Sequence, residues 1–113
     1  MDPLNVYDQY FEAECDCNGR MRHAAQVKLI ATSQSGRISY DIEVVFFPHE
    51  AADDYMITYD AIFSENVYDA PGRRSKKREA EIMGTLREKA DAIAAGHGGT
   101  IFWDRPLNEA RRA

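Results

Sequence analysis

The chain has 113 residues, of which 44% are hydrophobic and 29% charged, and its formal net charge at neutral pH is −5. This length suits one domain, expected to span residues 1–113, and the composition is typical of a globular protein rather than a disordered one. No apolar run approaches the ~20 residues of a membrane span, and no basic stretch followed by an apolar one begins the chain, so we expect a cytoplasmic protein.

The first predicted element is a helix over residues 3–17. Asp2 can cap the free N–H groups of a first helical turn, and Pro3 is tolerated at the first helical position. Apolar side chains then recur at three- and four-residue steps, and Asn18-Gly19 is a common helix end. These side chains are Leu4, Tyr7, Phe11 and Cys15.

The same Asn-Gly pair is also the strongest short signal for a β-hairpin turn. In an uninterrupted hairpin register, however, the face that carries Val27 would also carry three acidic side chains. These are Glu12, Glu14 and Asp16. Such a face cannot form a core, so the helix is the preferred prediction and a hairpin strand is its alternative.

An antiparallel hairpin over residues 26–47 is the strongest prediction in the chain. Its first strand places Val27, Leu29 and Ala31 on one face, and a turn signal follows over residues 33–36. The second strand alternates apolar and polar residues with period two, which indicates a half-buried strand. Its apolar face is Ile38, Tyr40, Ile42, Val44 and Phe46, and its polar face is Ser39, Asp41 and Glu43.

Residues 50–63 suit two predictions. A strand from about Tyr55 would place alternate residues as far as Phe63 on one face, and its β-branched and aromatic content favours a strand. A helix after Pro48 would place Tyr55, Tyr59 and Phe63 on one stripe. The strand is preferred because Thr, Tyr, Ile and Phe are weak helix formers.

The clearest helix covers residues 75–95, after a break at 69–72. Its predicted buried stripe is Ala80, Met83, Leu86, Ala90 and Ile93. A short last strand over 100–103 and a loose charged tail from about residue 106 follow. Together these elements predict an α+β fold: a mostly antiparallel sheet, with the hairpin 26–47 and one or two further strands, packed by the C-terminal helix and by an N-terminal helix.

Cys15 and Cys17 are predicted to be free thiols, because a disulfide between residues so close in sequence would be strained. Zinc sites usually show two pairs of ligands at short intervals, whereas this chain has one such pair and isolated histidines. On a helix the two thiols would also point in different directions. We therefore predict no metal site and no cofactor. Since no phosphate-binding loop, nucleophile elbow or catalytic His-Glu-x-x-His pair is present, we also predict a non-enzymatic protein.

Charge is distributed unevenly along the chain. Residues 1–72 contain thirteen acidic and four basic residues, whereas residues 73–113 contain six acidic and ten basic ones. Five cations cluster at the start of the predicted C-terminal helix, where the helix dipole is already positive and a compensating anion is expected. They are Arg73, Arg74, Lys76, Lys77 and Arg78. The anion is either a bound phosphate or partner, or one of the chain's own carboxylates.

The Ser-Lys-Lys sequence at this helix start, together with the predicted order of one helix, three strands and a second helix, resembles the double-stranded-RNA-binding domain. The resemblance implies that Lys76 and Lys77 contact phosphates across a groove, with recognition of shape rather than of sequence. The likeness rests on these residues and the element order, and the chain is not assigned to that family.

The acidic residues predict a second kind of charged surface. If several of them share one face, they could mimic a phosphate backbone and bind a basic groove on another macromolecule. The candidates are Asp41, Glu43, Glu50, Asp53 and Asp54. The sequence therefore predicts a small interaction or regulatory protein with a protein partner, such as an acidic inhibitor, and alternatively a nucleic-acid-binding module that uses residues 73–78.

Overall fold

The computed structural model describes residues 3–49, 59–107 and 111–112. Six strands and one helix lie within these residues. In chain order they are β1 (Leu4–Cys17), β2 (Arg20–Gln34), β3 (Arg37–Pro48), β4 (Ala61–Pro71), α1 (Lys76–Gly96), β5 (Thr100–Pro106) and β6 (Arg111–Arg112).

The strands form one antiparallel sheet in the order β4-β3-β2-β1-β5, and β6 also pairs with β1. Helix α1 packs on one face of this sheet, and the main core lies between the two layers. The predicted α+β architecture is confirmed. Among the described residues, no helix has the length and apolar content that crossing a membrane would require.

The predicted N-terminal helix is wrong, because residues 4–17 form strand β1. Asn18 and Gly19 make the tight turn to β2, with φ angles of 57° and 74°. Both values lie in the left-handed region that a two-residue hairpin turn requires. The alternative prediction, a hairpin strand, is therefore the one that the structure adopts.

A β-bulge explains how residues 4–17 can form a hairpin strand without placing acidic side chains on its core face. Glu14 lies opposite Arg22 and Cys17 lies opposite Arg20, so β1 has one more residue than β2 between these two pairs. A one-residue shift exchanges the two faces of a strand. As a result, Phe11 and Ala13, rather than the acidic side chains, are buried in the core with the apolar face of β2.

The predicted hairpin 26–47 is confirmed as the central pair β2–β3, with Val27 opposite Val44. All the side chains of its predicted apolar faces are buried. The other face of β3 is less polar than expected at its end. There Val45 and Phe47 are buried in a second, smaller cluster with Ala24.

Only part of the segment 50–63 can be compared with its prediction, since residues 50–58 lie outside the described residues. Strand β4 begins at Ala61, and Phe63 packs against the core as a strand residue. The strand continues to Pro71, pairing with β3 along its length. The predicted break at 69–72 is therefore placed too early, and the chain turns at Gly72.

The C-terminal helix is confirmed with a slightly different buried face. Leu86 and Ala90 are buried as predicted, but Ala80 is exposed. Ile82 and Ala94 complete the buried stripe instead. The stripe therefore runs through residues spaced four apart.

The predicted last strand is confirmed as β5 and extends beyond residue 103. After it, the Leu107 N–H donates to the Tyr10 carbonyl at 2.9 Å. The prediction of a loose tail is wrong for residues 111–112, which pair with β1.

Candidate functional site

The five predicted cations lie together at the start of α1, but two of them have partners within the protein. Arg74 forms a bidentate pair with Glu79, with Nε–Oε2 and Nη2–Oε1 distances of 2.9 and 3.0 Å. The guanidinium of Arg78 lies 4.1 Å from the ring centroid of Tyr68. For Arg74, the expected compensating anion is thus one of the chain's own carboxylates.

Glu79 is the centre of a buried network that fixes the helix start to the sheet. The Tyr40 hydroxyl donates to Glu79 Oε2 at 2.7 Å and accepts from the Ser75 N–H at 3.2 Å. The hydrogen bond from Arg74 lowers the pKa of the Glu79 carboxyl, while burial raises the pKa of Tyr40. This network holds the backbone that carries the other cations.

The remaining three cations, Arg73, Lys76 and Lys77, are exposed. Within the part of the chain that the structure describes, no carboxylate lies within ion-pair distance of any of them. Lys76 and Lys77 are the first two residues of this 21-residue helix, where the helix dipole adds to their charge, and Arg73 lies three residues before Lys76. They are therefore available to an external anion.

The predicted acidic face is only partly described. Asp41 and Glu43 project from the sheet face opposite α1, as predicted. However, Glu43 Oε1 lies 3.6 Å from Lys28 Nζ, and Asp41 accepts a hydrogen bond from Asn66 at 2.9 Å. Both carboxylates therefore already have partners. The other three candidates, Glu50, Asp53 and Asp54, lie outside the described residues.

A buried cluster of two thiols and one imidazole lies where the hairpin β1–β2 turns. Cys15 Sγ is 3.4 Å from Cys17 Sγ and 3.5 Å from His23 Nδ1. The three ligand-type atoms all lie within 4.8 Å of one another. No more than 3% of any of the three residues is exposed.

Asp60 holds the far side of the imidazole. Its Oδ2 lies 3.0 Å from His23 Nε2, and its carboxylate also accepts from Arg20 and Asn18 in the hairpin turn. An ionised carboxylate can only accept, so in a neutral imidazole this contact favours the tautomer with the proton on Nε2. In that tautomer the lone pair of Nδ1 faces Cys15.

Sequence reasoning missed this cluster because it assigned residues 3–17 to a helix. On a strand, residues two apart point to the same side, so Cys15 and Cys17 lie together. The hairpin then brings His23, opposite Ala13, to the same end of the sheet. The Cys-x-Cys spacing was the available signal, and it is informative only for a strand.

Cys15 contacts His23, which in turn contacts Asp60, and a nucleophile, its base and an orienting carboxylate are connected in the same way. The environment does not suit nucleophilic chemistry. Burial, followed by the hydrogen bond with Cys17, raises the pKa of the Cys15 thiol to about 12. A buried neutral thiol is a poor nucleophile.

Comparisons with the models of known protein families, with curated proteins and with solved structures gave no match. The function is therefore inferred from the residues of this chain.

Proposed function

We propose that the protein is a small, non-enzymatic binding protein that holds the phosphates of a nucleic acid with Arg73, Lys76 and Lys77. The observation that carries the proposal is the exposure of these three cations at the start of α1, with no carboxylate partner among the described residues. The other two cations of the run have partners within the protein: Arg74 pairs with Glu79, and Arg78 lies over the ring of Tyr68.

The position of the cations gives the physical reason. A cation in the first turn of a helix is unfavourable by about 0.3–1 kcal/mol at an exposed site, since it repels the positive end of the dipole. A phosphate removes that repulsion and accepts hydrogen bonds from free backbone N–H groups. The Arg74–Glu79–Tyr40 network orders the backbone before binding, which reduces the entropy lost on association.

The proposed contact is electrostatic and independent of nucleotide sequence. Recognition of duplex shape, which the likeness to the double-stranded-RNA-binding domain implied, is not part of the proposal. That likeness required an N-terminal helix, and the structure has strand β1 in its place.

The acidic-inhibitor function remains a prediction. Of its five residues, Asp41 and Glu43 already interact with Asn66 and Lys28, and the other three are not described. The described acidic residues therefore give it less support than the helix start gives to phosphate binding.

Fluorescence anisotropy with short labelled RNA and DNA duplexes tests the proposal. Three phosphate contacts predict a slope of about −2.7 for the logarithm of the binding constant against the logarithm of salt concentration. Binding should therefore weaken about 40-fold between roughly 50 and 200 mM salt. Substituting Gln for Arg73, Lys76 and Lys77 together should remove this binding.

A matched control changes the same number of charges elsewhere. Gln at Arg22, Arg87 and Arg105 lowers the net charge equally but leaves the helix start intact. This control variant should retain most of the affinity. The proposal is wrong if the salt concentration does not change binding, or if the two triple variants bind the duplexes equally. It is also wrong if the chain binds neither duplex and binds only an acidic protein.

A further inference from the structure

We propose that Cys15, Cys17 and His23 bind one Zn²⁺ ion. Tetrahedral zinc, with Zn–S and Zn–N distances of about 2.3 and 2.0 Å, separates two sulfur ligands by about 3.8 Å and a sulfur and a nitrogen ligand by about 3.5 Å. The distances from Cys15 Sγ to Cys17 Sγ and to His23 Nδ1 are 3.4 and 3.5 Å, and all three ligand atoms lie within 4.8 Å of one another. The two distances from Cys15 are thus close to those that a shared zinc ion demands.

The surroundings of His23 are those of a metal-binding imidazole. A histidine ligand usually donates its second N–H to a carboxylate, which fixes the tautomer and the orientation of the ring. Asp60 accepts from Nε2 and leaves Nδ1 to face the thiols. Arg20 in turn donates to Asp60, so the carboxylate itself is held in place.

Charge and burial favour zinc over other cations. Two thiolates and a neutral imidazole carry a charge of −2, which Zn²⁺ cancels, so the loaded site is neutral in its buried position. Thiolate ligands select soft ions such as Zn²⁺ and exclude Mg²⁺ and Ca²⁺, which require oxygen ligands. Among the described residues, the hydrogen-bond partner of Nδ1 is the Cys15 thiol, and a thiol is a weak donor.

Binding is an exchange of protons for metal. Each cysteine loses its thiol proton as its sulfur forms a bond to the ion, so one proton is released per thiol and no electron is transferred. His23 binds in its neutral form through Nδ1 and keeps the proton on Nε2.

The test uses the reduced, chelator-treated full chain and Co²⁺ as a spectroscopic substitute for Zn²⁺. We expect one Co²⁺ per chain, a sulfur-to-cobalt charge-transfer band in the near ultraviolet, and loss of that band when Zn²⁺ is added. Calorimetry in buffers of different ionisation enthalpy should show one proton released for each thiol. A reduced wild-type chain that gives no thiolate band and takes up no Zn²⁺ overturns the proposal.

Variants assign the ligands. Cys15→Ser, Cys17→Ser and His23→Gln should each abolish tight binding, whereas His49→Gln, at the residue after β3, should leave it unchanged. Asp60→Asn should keep the charge-transfer band but weaken binding about 10- to 100-fold, because it disturbs only the orientation of the ligand. Circular dichroism establishes which variants fold. If the folded Cys→Ser variants bind the metal as tightly as the wild type, the assignment of the ligands is wrong. If those variants do not fold, the stoichiometry and the proton release of the wild-type chain decide whether the proposal holds.

Discussion

His23 Nε2 and Asp60 Oδ2 lie 3.0 Å apart, and each side chain is at most 1% exposed. The two residues are 37 positions apart in the sequence. Their contact joins the turn end of the hairpin β1–β2 to the residue that precedes β4, and it crosses over β3 to do so.

Loss of this contact should cost more stability than loss of an exposed ion pair. Asp60→Ala leaves a buried N–H of His23 without an acceptor, and we expect the free energy of unfolding to fall by about 1–3 kcal/mol in metal-free protein. Asp69→Ala is the matched control, since the Asp69–Arg37 pair is more than half exposed on both sides and should contribute about 1 kcal/mol or less. Urea unfolding measures both values. Equal losses would show that the buried contact has no special role.

Glu79 makes stability depend on pH in the acid range. Because Arg74 lowers the pKa of this carboxyl in the folded state, its contribution is complete above the unfolded pKa of about 4.3 and is lost as the pH falls through the lower folded value. Glu79→Gln should therefore be less stable than the wild type near neutral pH, and the difference should shrink as the solution is acidified. Chemical unfolding at several pH values tests this. A difference that stays constant or grows in acid would contradict it.

Ser75 should stabilise the helix start that carries the cations. Its hydroxyl accepts from the Arg78 N–H at 3.3 Å, so Ser75→Ala removes the N-cap and should cost about 1 kcal/mol. Thermal unfolding measures the loss, and Ser64→Ala, at an exposed position in β4, serves as control. Similar melting temperatures for the two variants would mean that the cap contributes nothing.

Gly99 marks the closest approach between the start of β5 and β1. A Cβ atom there would meet the backbone carbonyl oxygen of Glu14 far inside van der Waals contact. Gly99→Ala must separate the two strands, and we expect a loss of about 2–3 kcal/mol or more. Gly96→Ala, where a Cβ meets nothing within 4 Å, should change stability little. Denaturant unfolding of the pair decides, and equal stability would refute the close approach.

The parts of the fold that could be predicted are those in which one period persists. Strand β3 alternates without interruption, and α1 has a regular apolar stripe, so both were recognised. Strand β1 was not, because the bulge between Glu14 and Cys17 changes which residues of β2 lie opposite it, and an uninterrupted register places the acidic residues of β1 on the core face. A sequence gives no local sign of that extra residue.

The two candidate sites also differ in how far they could be predicted from the sequence. Five of the six residues at 73–78 are cations, so their proximity followed from the sequence alone, and only their partners remained open. To predict the thiol cluster, three things had to be known: that residues 4–17 form a strand, the register of the hairpin β1–β2, and the position of Asp60. The contact between Asp60 and His23 joins segments that are distant in sequence, and no local pattern could have placed this carboxylate beside the imidazole.

The pairing of β5 with β1 also affects how the chain folds as it is synthesised. Strands β1 to β4 follow one another and can pair as they emerge, but the outer edge of β1 has no partner until residues 100–106 have left the ribosome. The interval leaves a long strand with unpaired backbone groups, which is a template for association with other nascent chains. We expect the charges of Glu12 and Glu14 on that strand to oppose such association, because charged side chains on an unpaired strand disfavour edge-to-edge pairing.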